Sequence, residues 1–119
     1  GNPELSHIVI TDPVDDGFDV ENDAKVKAQF VVYRGLADPG TCPDGAHCPD
    51  AVDADDAETD VEVRNATFCG HQTNQTFHQG VLVGHGASVT LRRSIVVDHE
   101  AALDVEEAAR RVRAPGHAA

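Results

Sequence analysis

The stretch Lys25-Val26-Lys27-Ala28-Gln29-Phe30-Val31-Val32-Tyr33-Arg34 carries the clearest periodicity in the chain. Val26, Ala28, Phe30 and Val32 share one parity, and Lys25, Lys27 and Gln29 share the other. Side chains of a strand alternate between its two faces, so this stretch reads as a strand with an apolar side turned inward and a charged side turned to water. Working outward, the apolar run Leu5 to Ile10 reads as a first strand that stops at the turn signal Asp12-Pro13. Phe18 and Val20, alternating with Asp19 and Glu21, permit a short second strand that leads into a turn at Asn22-Asp23.

Beyond Asp60 the periodicity resumes at Val61 and Val63, and then its parity slips. Ala66 and Phe68 fall on the side of Glu62 and Arg64, so a bulge or strand break is expected near Asn65. Residues 79–84 and 87–97 read as a hairpin joined tightly by Gly84-His85-Gly86. In its second strand Val89, Leu91, Ile95 and Val97 share a face on which Arg93 also falls, and an arginine there requires a carboxylate, a bulge or a partner surface. Residues 98–113 are expected to form one helix. Asp98 can cap it, Val105, Ala108, Ala109 and Val112 line one side, and Arg110, Arg111 and Arg113 close its end before Pro115. No repeat of 20 to 50 residues is visible, which argues against a solenoid.

Residues 35–60 lose the apolar pattern. Pro39, Gly40, Pro43, Gly45 and Pro49 lead into an acidic stretch, so a long loop is expected there, and loops of that length are generally functional, disordered or covalently tied. Cys42 and Cys48 flank five residues within it, and a disulfide between them would pin a segment without core contacts. The alternative is a zinc site drawn from Cys42, Cys48, Cys69 and His71, with His47 or His78 as replacement ligands, because zinc accepts three thiolates and one imidazole. Its spacing is unfavourable, since five residues separate the first two cysteines and one separates Cys69 from His71.

The chain has 119 residues, enough for one domain spanning 1–119, and a core of small residues: aromatics are 4% and neither Trp nor Met occurs. A formal charge of −12, from 21 acidic and 9 basic residues, disfavours binding to nucleic acid and to anionic lipid surfaces. No apolar run is long enough to span a bilayer, so no membrane insertion is expected. No leader with a charged, then apolar, then small-residue pattern is present, so any export signal is expected to have been removed or never to have existed. The acid is mostly Asp and the base mostly Arg, a balance that resembles proteins of extremely halophilic archaea, whose surfaces stay hydrated while concentrated salt screens their repulsion.

Asn65-Ala66-Thr67 and Asn74-Gln75-Thr76 match the N-glycosylation sequence, making Asn65 and Asn74 candidate glycan acceptors of an exported protein. The acidic runs at 15–23 and 53–60 lack the glycine and terminal glutamate of a helix-loop-helix calcium loop and read as solvated surface. Nucleophile elbows, phosphate loops, dinucleotide glycine patterns and H-E-x-x-H are absent, and Cys69 with His71 or His78 forms at most a thiolate-imidazole pair at a separation more often structural, so the chain is read as no enzyme and as needing no cofactor.

Short strands, frequent turn signals and one closing helix predict a mainly β, compact antiparallel β-sandwich. The strand pattern over about residues 5–97 resembles the immunoglobulin-like surface domains of archaeal envelopes, pili and viruses, without the buried tryptophan and paired sheet cysteines of antibody-type domains. That resemblance implies a structural subunit on a cell or virion surface, extracellular and glycosylated, whose partners are copies of itself or other surface subunits. A small cytoplasmic zinc-binding or redox module is the competing expectation.

Overall fold

A computed structural model describes residues 2–13, 16–35, 50–70 and 79–106, and the backbone of 111–113. Ten strands run through them: β1 (Glu4–Thr11), β2 (Phe18–Val20), β3 (Lys25–Arg34), β4 (Val52–Ala54), β5 (Asp60–Cys69), β6 (Gln79–Val83), β7 (Ser88–Arg92), β8 (Ile95–Val97), β9 (Ala101–Val105) and β10 (Arg111–Arg113). One sheet has the order β1-β3-β5-β7-β10, with β8 beside β5, and the other has the order β2-β4-β6-β9. Every pair is parallel.

This corrects the antiparallel sandwich. Parallel neighbours need a crossover, and each crossover here is a strand of the opposite sheet, so the chain winds as a coil. The architecture is a short parallel β-solenoid, in which each turn of the coil buries its inward side against the next. The absence of a visible repeat is explained by unequal coils: partners along the first sheet lie 23, 35, 28 and 23 positions apart. No fixed period survives that variation, although the register does.

The other corrections follow from the same winding. Gly84-His85-Gly86 is a tight turn, with positive φ at His85 and Gly86, but it joins strands of different sheets rather than a hairpin pair. The helix expected over 98–113 is absent among the described residues, where β9 and β10 stand instead. Helical capping and charge signals there are outweighed by pairing of Ala101–Val105 with β6, because a terminal segment of a solenoid satisfies its backbone on the preceding coil.

Parity slips recur at one corner of the coil. His7, Phe30, Asn65 and Arg93 all have φ between 49° and 57°, and the register stacks them one above another. A left-handed residue kinks the strand and hands the inward role to the next position. Val26 and Ala28 are therefore buried with Val31 and Tyr33, while Phe30 and Val32 are 46% and 48% exposed. The break anticipated at Asn65 is thus one rung of a column, and Arg93 is another: it is exposed on the same side as Ile95 and Val97, while Val89 and Leu91, before the kink, are buried.

The interior is a set of columns. Leu5, Ala28, Val63 and Leu91 form one, Ile10, Tyr33, Phe68 and Val96 another, and Phe18, Val52, Val81 and Leu103 a third. Tyr33 and Phe68 meet edge to face at 6.3 Å between ring centres, and His99 stacks on Tyr33 at 6.2 Å. Val and Ala suit this narrow space. Close approach is required at Gly80, where a Cβ would collide with Val96 Cγ1 and stand 2.8 Å from the Ala102 carbonyl oxygen.

Candidate functional site

Two surface features stand out, both created by the stacking. The first is a carboxylate column on β2 and β4 and the bends before them. Asp16 Oδ1 accepts the backbone N–H of Asp50 at 2.7 Å, and Asp50 Oδ1 accepts the backbone N–H of Gln79 at 2.7 Å. Each aspartate thus extends the backbone ladder by one coil at a bend where the sheet hydrogen bonds end. Beside them, Asp19 and Asp53 are register partners pointing outward, followed by Leu82 and Asp104 in the next coils.

Carboxylate oxygens of Asp16, Asp19 and Asp53 lie within 4.8 Å of one another. So many negative charges cannot all ionise side by side. Burial pushes the Asp50 carboxyl up to about 8, with Asp16, Asp53 and Asp104 adding to the rise and the Gln79 N–H opposing it. Burial pushes Asp53 up to about 7, and the charges of Asp16 and Asp19, together with a hydrogen bond to Asp16, push the same way. Near neutral pH the column therefore shares protons, and its oxygen donors are of the kind hard cations accept. Burial and the charges of Asp50 and Asp16 also raise the Tyr33 phenol, which stays protonated.

The second feature is the outer face that follows the kinked corner. Its outward columns are Val9, Val32, Thr67 and Ile95, then Thr11, Arg34, Cys69 and Val97. With the corner residues His7, Phe30, Asn65 and Arg93, these positions contain no Asp or Glu in a chain that has 21. Five of the exposed large apolar residues lie here: Val9, Phe30, Val32, Ile95 and Val97, at 70, 46, 48, 58 and 40% exposure. His7 and Phe30 stack at 5.0 Å between ring centres. The opposite border of the face carries Asp12, paired with Arg34 at 2.9 Å, and Asp98.

The remaining face carries most of the described cations. Lys27, Arg64 and Arg92 surround Glu62, whose Oε1 accepts from Arg64 Nε at 2.9 Å and Nη2 at 2.6 Å. The Arg64 hydrogen bonds hold the Glu62 carboxyl below the usual range.

Of the residues singled out from the sequence, Asn65 sits half-buried at the corner with φ 52°. Cys69 is half-buried at the end of β5 with a free thiol. Cys42, Cys48, His71 and Asn74 lie outside the described residues, as do His47 and His78. Ser94 Oγ accepts from the Ala66 N–H and donates to the Arg92 carbonyl, a backbone role at the corner. The carboxylate column escaped the sequence reading, although a signal existed. Asp16-Gly17-Phe18-Asp19-Val20 and Asp50-Ala51-Val52-Asp53-Ala54 share a pattern that returns, degraded, as Gln79-Gly80-Val81-Leu82-Val83 and Ala101-Ala102-Leu103-Asp104-Val105. A small residue, then an inward apolar one, then an outward one is the signature of one rung.

Fold and surface together define a short parallel β-solenoid with an acidic column and an acid-free face. Comparison with protein-family models, with curated proteins and with solved structures finds no match for the chain.

Proposed function

We propose that the chain is a non-enzymatic structural subunit of an extracellular assembly from a saline environment, a filament, pilus-like or virion component that associates with copies of itself. The observation that carries this reading is the first coil. Among the described residues strand β1 pairs with β3 alone, and its inward residues are incompletely covered: Leu5 is 36% exposed, and Ile8, Ile10 and Phe18 are half-buried. The same columns one coil further in are closed, with Ala28 at 3% and Val31 and Tyr33 at 1%. An open coil of this kind presents apolar cross-section and a strand edge that a further coil, such as one of a second copy, can extend. The acidic coat supports a setting in concentrated salt, where the repulsion between copies is screened within a few ångströms. The sequons support export, with a glycan on Asn74 or Asn65 and a Cys42–Cys48 disulfide earlier in the chain.

Electron microscopy and light scattering in molar potassium chloride test it, with intact-mass analysis before and after reduction and deglycosylation. Elongated particles and a carbohydrate mass are expected. A monomer at every salt and protein concentration, or a zinc-loaded chain with no disulfide and no sugar, would overturn it.

A further inference from the structure

We propose that the acid-free face is the lateral contact between two copies of this chain, related by a two-fold axis that runs along the stack of coils. The proposal rests on the self-association reading above and names its side-to-side contact. The argument is one of charge. Two copies of net charge −12 repel wherever their carboxylates meet, and the column of Val9, Val32 and Ile95 is the centre of a face whose described positions, inside its Asp12 and Asp98 border, carry no carboxylate. An apolar patch left open on a strongly charged chain marks an interaction surface.

The borders of the face select the symmetry. Arg93 and His7 stand at its corner edge, and Asp98 and Asp12 stand at its opposite edge, each pair within one coil. Rotation about an axis along the stack lays the corner edge of one copy over the opposite edge of the other at the same level. Arg93 then faces Asp98 of the second copy, and His7 faces Asp12, in two equivalent places. A perpendicular axis would instead reverse the order of coils and lay corner on corner, setting Arg93 over His7 of the second copy, where no carboxylate stands. The interface is self-complementary, as a two-fold contact must be. Asn65 belongs to the same corner, so an N-glycan there and this contact exclude each other.

Sedimentation equilibrium of the full chain in molar potassium chloride is the test, with wild type beside V32D, I95D and R93D. The first two place a carboxylate at outward positions and leave the buried columns intact, and circular dichroism of each variant checks that the fold persists. Wild type should sediment as a dimer or a multiple of it. V32D and I95D should each weaken the dimer by tenfold or more, and R93D should weaken it less, with low salt dissociating all four. Single-file elongated particles whose mass per length is unchanged by V32D and I95D would overturn the lateral contact and leave the self-association reading standing. A wild-type monomer under every condition would overturn both. A glycan on Asn65 in protein from its native source would overturn the lateral contact alone.

Discussion

Asp50 Oδ1 accepts the backbone N–H of Gln79 at 2.7 Å, one coil further along the chain, while Asp50 itself is only 6% exposed. A buried carboxyl in that position meets two demands. It must accept from Gln79, and it must live beside Asp16, Asp53 and Asp104.

The consequence is an inverted pH dependence. The Asp50 carboxyl stands at about 8 in the folded chain, against about 3.9 when unfolded. A carboxyl raised on folding favours the folded state fully below the unfolded value, and that contribution declines as pH rises through the window from about 4 to 8. Asp53, at about 7, acts in the same direction. Thermal melts between pH 5 and 9 should therefore show the midpoint falling with pH. In D50N the amide oxygen still accepts from Gln79 and no charge develops. Its melting point should vary less, with a gain on the order of 2 kcal/mol over wild type at pH 9. An unchanged slope in D50N would refute the assignment.

Gly80 tolerates no side chain. A Cβ would meet Val96 Cγ1 and the Ala102 carbonyl oxygen from two neighbouring segments, one of them backbone. Denaturant unfolding of G80A should show a loss of about 2–3 kcal/mol, in the range of overpacked cores. Ala102, which follows in the same column of small residues, is exposed in the last coil, and A102S should change stability by less than about 0.5 kcal/mol.

The corner column predicts which substitutions Asn65 accepts. Its φ of 52° suits Asn and Gly and penalises a β-branched residue. N65V should lose about 1–2 kcal/mol and N65G should stay near wild type, as measured by chemical unfolding. Equal stabilities would mean that the corner does not hold that backbone in solution.

The unequal coils predict a tolerated deletion. Partners lie 23 positions apart in β1 and β3 but 34 apart in β2 and β4, a difference of 11 residues inserted between Arg34 and Asp50. Removing residues 38–48 leaves the four-residue connection that already joins Thr11 to Asp16 in the first coil. Loop-closure entropy changes little with such shortening, so stability should shift by less than about 1 kcal/mol. The deletion also removes Cys42 and Cys48, so a larger loss would show that this segment contributes packing or a stabilising cross-link. Unfolding curves of the two chains decide the point.

Much of the strand content was legible because alternation is a local signal. The strand over 25–34 and the break at Asn65 could both be read from parity. Phe30 and Val32 could not be placed on the outside, because an aromatic and a β-branched residue continue an apolar pattern whether or not the backbone kinks between them. The region 98–113 misled for a related reason: its spacing of apolar and charged residues suits a helix, and only the waiting edge of β6 makes Ala101–Val105 a strand.

Composition and short-range alternation, which need no distant residues, made the acid-rich composition, the small-residue core and the strands over 5–10, 18–20, 25–34 and 61–69 readable, whereas β4, inside the expected loop 35–60, and β9 and β10, inside the expected helix, were not. Tertiary structure alone decided that strands separated by 22 to 35 positions lie side by side and parallel. That choice gathers Asp16, Asp50 and Asp53 into one column and clears another face of acid. The physical reason is that a coil's register is held by backbone hydrogen bonds between turns, and these fix which residues stack however long the loops between them are.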